Sequence, residues 1–311
     1  MKRFFIALAA ATISVAAPLQ AHGDQAAART RPVRVSIPFN PPLDRPLHYR
    51  STVRTQRNGV STAVSTDYEI TFSRDDEGFR MRVNATGARD ELTGNPSPLY
   101  LPPYTLLLDE DGKGAELENA EAYWNGLIQA SRPALRTMNG GVASPNVSSL
   151  ADYALREANP EARLNHLTRY IGLILDYAAD DYVLGEDKVQ VDPISGLMGT
   201  MVTQRLVFRA ERVENGRLFM STRTTVSGDE MRDQMVAAFE RAPANGQSPE
   251  ERAAHLADLR AARMERTVTS RFELSVATGL VLRLDQTDLA RRTVRGQLLE
   301  SVQRLTVERL D

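Results

Sequence analysis

Four histidines, His22, His48, His166 and His255, are the imidazoles available for proton transfer or metal binding. No two of them are three or four residues apart, the spacing that puts a pair of ligands on one helix face. A zinc site would have to gather scattered ligands, and none is expected. Cysteine is absent, which excludes thiol nucleophiles, thiolate metal sites and disulfides. The chain has no Gly-x-Ser-x-Gly elbow, Walker loop or dinucleotide-binding glycine run, so no cofactor is expected either. Asp109-Glu110-Asp111-Gly112-Lys113-Gly114, followed by Glu116, has the composition of a calcium loop. Its glycine arrives at the fourth position instead of the sixth, and strand-like residues precede it, so a hairpin turn is the better reading. Asp180-Asp181 offers two carboxylates, but neighbours at a helix end point in different directions.

The positions that remain are apolar. Met231, Met235 and Phe239, with Met198 and Met201 nearby, offer an adaptable thioether and aromatic surface that suits either core packing or a ligand groove.

The elements that must position these residues begin with a strong alternation. In Val64 to Arg74, Val64, Thr66, Tyr68, Ile70 and Phe72 take one side, with polar residues between them. Phe79, Met81, Val83 and Ala85 alternate in the same way beyond Asp75-Asp76-Glu77-Gly78, a turn whose glycine permits positive φ. This predicts an antiparallel hairpin with one wet face. Leu47, Tyr49 and Val53 predict a preceding strand, joined at Asn58-Gly59. A second long hairpin follows at Gln204–Val213 and Leu218–Val226, turning at Glu214-Asn215-Gly216. Shorter hairpins are expected at Thr105–Leu108 with the turn Asp109–Gly112, and at Phe272–Leu284 with the bend Thr278-Gly279. Val302 to Leu310 is a candidate closing strand.

Helices are expected between the hairpins. Glu116–Met138 carries Leu117, Ala120, Trp124, Leu127 and Ile128 at helical spacing, and a segment opened by Pro160 carries Leu164, Leu167, Ile171, Ile174 and Ala178. A third covers Asp229–Arg241. Ser248-Pro249-Glu250-Glu251 is a capping box with proline at the first helical position, predicting a helix to about Met264. Pro193, Gly196 and Gly199 predict an irregular loop between Asp187 and Gly199. The fold class that follows is α+β: a large curved antiparallel β-sheet, half-barrel-like, with several helices inserted between hairpins and packed on its concave face.

Met1–Ala21 reads as a signal peptide. Lys2 and Arg3 precede an apolar run from Phe4 to Ala17, Pro18 breaks it, and Ala21 marks the cut. The run is short for a transmembrane helix, which needs about 20 residues. No cysteine follows, so no N-terminal lipid anchor is expected, and the protein is expected in the periplasm or outside the cell. The chain has 311 residues with 38 basic against 40 acidic side chains, a net charge of −2, which gives no electrostatic reason to expect nucleic acid. Losing the signal makes the mature chain more acidic still. Lysine occurs only at positions 2, 113 and 188, so the basic residues are nearly all arginine, scattered and often beside acids.

Residues 22–46, rich in Ala, Arg and Pro, read as an extended lead-in, and 47–311 as a single α+β domain. The two long hairpins suggest pseudo-repeated halves, 47–145 and 200–311, joined by a helical segment at 146–199. Simple repetition of hairpins in an antiparallel sheet accounts for the pattern equally well.

The layout of a signal peptide, alternating hairpins and inserted helices resembles the periplasmic lipoprotein-carrier half-barrels of the LolA/LolB type. It also resembles β-rich secreted bacterial families that carry an Asp-x-x-Gly turn after a strand, here Leu108-Asp109-Glu110-Asp111-Gly112, and a late Thr-Gly bend, here Ser275-Val276-Ala277-Thr278-Gly279-Leu280. The resemblance implies a curved sheet whose apolar face shelters an acyl chain or an apolar protein segment. Tyr68, Ile70, Phe72, Phe79, Met81 and Val83 would line that face, with Met231, Met235 and Phe239 as a lid. The alternative is that the same residues form a closed core and leave no cavity. The expected function is a non-enzymatic envelope binding or carrier protein for a lipid, another apolar ligand or an envelope protein. A hydrolase-type enzyme with a dispersed site, or a scaffold using a sheet edge, are the alternatives.

Overall fold

In the computed structural model the described residues are 32–57, 59–96, 102–127, 129, 164, 167–168, 170–175, 177–195, 201–241 and 248–311. The segment read as a signal peptide, the first part of the lead-in, most of the segment 128–163, and His22, His166 and Met198 lie outside them. Among the described residues eleven strands form one antiparallel sheet. One half runs β2 (Leu47–Arg57), β3 (Val60–Arg74), β4 (Phe79–Asp90), β5 (Tyr104–Leu108) and β6 (Glu116–Leu117), each strand beside the last. The other half runs back from β13 (Gln297–Arg309) through β12 (Val281–Val294), β11 (Arg263–Ser275), β10 (Arg217–Val226) and β9 (Met201–Glu214) to β8 (Asp187–Ser195). The halves join where β13 pairs with β2, with Leu305 opposite Val53 and Val307 opposite Ser51. The sheet does not close into a barrel; among the described residues its edges are β6 and β8. A separate two-stranded ribbon pairs β1 (Arg34–Ile37) with β7 (Asp180–Val183). Val33–Asp311 forms one compact unit.

The long hairpins follow the sequence closely. Asn215 and Gly216 both have positive φ, 50° and 72°, the pairing that a tight turn between right-twisted strands requires. Gly78 has a second constraint: a Cβ there would lie 2.2 Å from the Leu108 carbonyl oxygen on β5. Asp75 holds this turn by accepting N–H bonds from Glu77 and Gly78. Register shifts at Asp67/Tyr68, Phe219/Met220 and Glu273/Leu274 mark bulges, which strengthen the local twist.

Two helices stand between β10 and β11: α1 (Gly228–Arg241) and α2 (Pro249–Ala261). Ser248 and Glu251 form the reciprocal cap that their spacing predicts. A helical stretch also begins at residue 120, and a 3₁₀ turn covers Gly172–Ile174. The molecule is thus α+β, as its patterning implies.

Three local expectations change. Asp187–Ser195 is strand β8, not a loop, and its Pro193 is tolerated because β8 is an edge strand. Asp180 and Asp181 begin strand β7, with Asp180 bound to Lys188 at 2.9 Å, and do not end a helix. Glu116–Leu117 pairs with β5 before the helical stretch begins, because Leu117 opposite Leu106 completes the apolar face.

Candidate binding site

Cross-strand register places the proposed lining residues in one patch. Tyr68 lies opposite Tyr49, and Ile70 opposite Leu47 and Val83. Phe72 lies opposite Met81, while Phe79, Met81 and Val83 face Leu108, Leu106 and Tyr104. Tyr68, Ile70, Phe72, Phe79, Met81 and Val83 are all buried in a single cluster. The same cluster takes in Ile37 and Tyr182 of the β1–β7 ribbon and residues from several other segments. Phe39, from the lead-in, meets Phe72 and Phe79 edge-on with centroids 5.9 and 4.9 Å apart. Trp124 and Leu127 come from the helical stretch, and Leu167, Ile171 and Ile174 from the segment around the 3₁₀ turn. Gly112, at φ 74°, lets the Asp109 turn lie against the Phe39 ring, which a Cβ would meet at 2.7 Å. Asp109 spends one carboxylate oxygen on the N–H groups of Asp111 and Lys113, so the calcium-like sequence builds a hairpin turn. Among the described residues no cluster of His, Asp and Glu is arranged to hold a metal ion.

The covered face changes character along the strands. Residues two apart on one strand share a face, so Leu218 and Met220 lead to Thr222 and Thr224, and Phe272 leads to Ser270, Val268 and Arg266. Leu284 leads to Gln286 and Asp288, and Leu305 to Gln303. Register aligns these as two rows: Thr222, Ser270, Gln286 and Leu305, then Thr224, Val268, Asp288, Gln303 and Thr55. The first row is mostly polar and bonded, with Ser270 Oγ 3.4 Å from Gln286 Oε1. In the second, Gln303 Nε2 donates to Thr55 Oγ1 at 3.3 Å. Beside it Arg266 grips Asp288 with Nε–Oδ1 at 3.1 Å and Nη2–Oδ2 at 2.7 Å. These hydrogen bonds hold the Arg266 guanidinium more firmly protonated against the cost of burial. The same sheet face is therefore apolar at one end of the central strands and hydrogen-bonding, with an ion pair, at the other.

At the apolar end the few polar atoms are satisfied or neutral. Tyr49 donates its hydroxyl to the Val281 carbonyl at 3.0 Å, and burial pushes its ionisation far above the ordinary tyrosine range. Burial likewise raises Tyr104 and Tyr68. These phenols act as donors and packing surface, not as bases.

Met231, Met235 and Phe239 lie half-buried on α1, outside the cluster formed by the other six. α1 starts where β10 stops. Glu230 accepts from the N–H and hydroxyl of Thr203 at the start of β9, and Gly228 passes so near Met264 that a Cβ would strike its carbonyl. Phe239 faces His255 of α2 at 4.9 Å, and Arg252 donates to the carbonyls of Phe239 and Glu240 at the C-terminal end of α1. The position of these three residues is thus tied to the α1–α2 hairpin. His48, half exposed, stands 4.0 Å from Glu69 and 3.9 Å from Asp311 on the opposite sheet face. The ion pair, Gln286, Gln303 and Thr55 had no place among the sequence-derived candidates; a charged Asp288 at an inward-alternating strand position was the signal that could have found them.

No protein-family model matches the chain, and no curated protein matches it in sequence.

Proposed function

We propose that this is a binding or carrier protein for an amphiphile with an acyl chain, acting in the periplasm after removal of the signal peptide and performing no chemistry on its ligand. The observation that carries the reading is the two-part lining of the covered sheet face. The apolar end suits a hydrocarbon chain, and the band holding Gln286, Gln303 and the Arg266–Asp288 pair suits a polar head. The layout's resemblance to the LolA/LolB-type lipoprotein carriers points the same way. In this reading the cover of Trp124, Leu127, Leu167, Ile171 and Ile174 lifts, and the ligand takes its place against Tyr68, Ile70, Phe72, Phe79, Met81 and Val83.

The energetics suit a carrier. Each methylene removed from water contributes about 0.8 kcal/mol, but the ligand displaces side chains that were already buried. The net gain is therefore the difference between two apolar contacts, less the cost of ordering the ligand. Binding of this kind is reversible, as release demands.

Native mass spectrometry of the protein purified from its own periplasm tests the proposal. The expected result is an adduct of reproducible mass that organic extraction removes and that a fluorescent fatty acid replaces. A clean apo mass in repeated preparations, together with no saturable uptake of the fluorescent acid, overturns it.

A further inference from the structure

A groove of about 690 Å³ runs across β8 to β13; most of its lining residues, Arg223, Thr269, Arg271, Thr287 and Arg304 among them, alternate away from the covered face, and Thr222, Ser270, Gln286 and Leu305 of the intervening row complete it. Cross-strand register sets Arg223, Thr269, Thr287 and Arg304 in one row, and Arg54 of β2 continues it directly opposite Arg304. Arg271 lies in the adjoining row, between Ser221 and Asp285. Two aspartates share the groove, but their charges are taken. Asp187 is bound by Arg209 at 3.3 Å; Asp285 is bound by Arg283 at 2.9 Å and by the Thr306 hydroxyl at 3.2 Å. Among the described residues Arg54, Arg223, Arg271 and Arg304 have no ion-pair or hydrogen-bond partner, and neither do the hydroxyls of Thr269 and Thr287.

This distribution is unfavourable for the protein alone. Like charges directly opposite on neighbouring strands destabilise a sheet, and Arg54 faces Arg304 with no acid between them. The chain as a whole is negative, so the excess of positive charge here is local. Guanidinium groups present forked donors that match the oxygens of phosphate, and threonine hydroxyls add donors at the floor. Three strand spacings of about 4.8 Å separate Arg223 from Arg304, about 14 Å in all. That distance lets two arginines hold the ends of an extended anion while Arg271 and the threonines meet its middle.

We propose that this groove is a binding site for a ligand carrying at least two linked or neighbouring phosphate groups, held by Arg223, Arg271 and Arg304 over Thr269 and Thr287. These arginines and threonines alternate away from the covered lining, so the site stands independently of the amphiphile reading.

Isothermal titration with sodium tripolyphosphate at low and moderate salt provides the test. Saturable binding that weakens with salt is expected, and the double variant R223Q/R304Q should lose at least tenfold in affinity. Arg82→Gln serves as the control, because Arg82 is an exposed, equally unpartnered arginine on the same sheet face outside the groove. All three positions are exposed, and thermal melts of each variant confirm retained folding. Vesicles of phosphatidylcholine with and without phosphatidylglycerol identify the source. Arginine-dependent binding only to the anionic vesicles places the phosphates on a lipid surface, whereas binding of tripolyphosphate alone places them on a soluble ligand. The proposal is overturned if the double variant binds like Arg82→Gln, if nothing saturates, or if a glutamate-rich peptide binds as tightly as tripolyphosphate.

Discussion

The ion pair of Arg266 and Asp288 shows how unequal two partners can be. The Asp288 side chain is 12% exposed and that of Arg266 is 38% exposed, so they lose different things when the other is removed. Arg266→Ala leaves a carboxylate with little access to water, and its cost should be about 2–4 kcal/mol. Asp288→Ala leaves a guanidinium that can turn toward solvent, and its cost should be nearer 1 kcal/mol. Urea denaturation of the two variants measures the difference; equal losses would mean that both charges are equally desolvated. If the covered face takes a polar head, both substitutions should also weaken binding of a fatty acid while leaving uptake of an uncharged hydrocarbon probe little changed.

At the scale of elements, two short sequences decide how neighbouring pieces meet. Gly78 sits where β4 turns beneath the β5 backbone, with φ at 146° and no room for a Cβ. Gly78→Ala should cost on the order of 3 kcal/mol, because the obstacle is the Leu108 carbonyl and not a movable side chain. Ser248→Ala removes one half of a capping box at an exposed helix start and should cost about 1 kcal/mol. Thermal melts should therefore rank Gly78→Ala well below Ser248→Ala, and the reverse order would show that the β4–β5 contact yields easily. The capping box was legible from four consecutive residues, and the structure places it as expected. Strand β8 was not, since Pro193 reads as a breaker unless the strand is known to lie at an edge.

Across the whole molecule, the joining of β2 to β13 ties the two ends of the domain together. Leu47 on β2 and Val302 on β13 lie in the middle of the sheet, so neither strand presents a free edge. The C-terminal residue reinforces this join. Burial raises the Asp311 carboxyl, but the hydrogen bond and charge of Arg309, with the backbone N–H and the ring of His48, outweigh it and hold the group below its ordinary value. A depressed folded-state pKa contributes stability that is present above the unfolded value, about 3.9 for aspartate, and is lost as pH falls through the folded value. Asp75 and Glu91 are depressed as well, chiefly by hydrogen bonds from Arg80 and from the side chain of Ser65. Stability should therefore decline below about pH 4. Asp311→Asn should flatten part of that decline, which denaturation midpoints measured from pH 3 to 6 would show; an unchanged slope would remove Asp311 from the account.

Sequence alone determined the long hairpins, because period-two alternation and turn residues such as Asn215-Gly216 are local and strong. It also determined which side of β3 and β4 would be apolar, and so the buried patch from Tyr68 to Val83. The order of strands, the pairing of β2 with β13, the covering of that patch by Phe39, Trp124 and Ile174, and the placing of Met231, Met235 and Phe239 on the α1–α2 hairpin were decided by tertiary structure. So was the meeting of Arg54, Arg223, Arg271 and Arg304, which look scattered along the chain and become neighbours only through cross-strand register. The physical reason is the same in each case. Alternation and turn chemistry act over a few residues, whereas strand partners are chosen by contacts between segments as much as 263 residues apart.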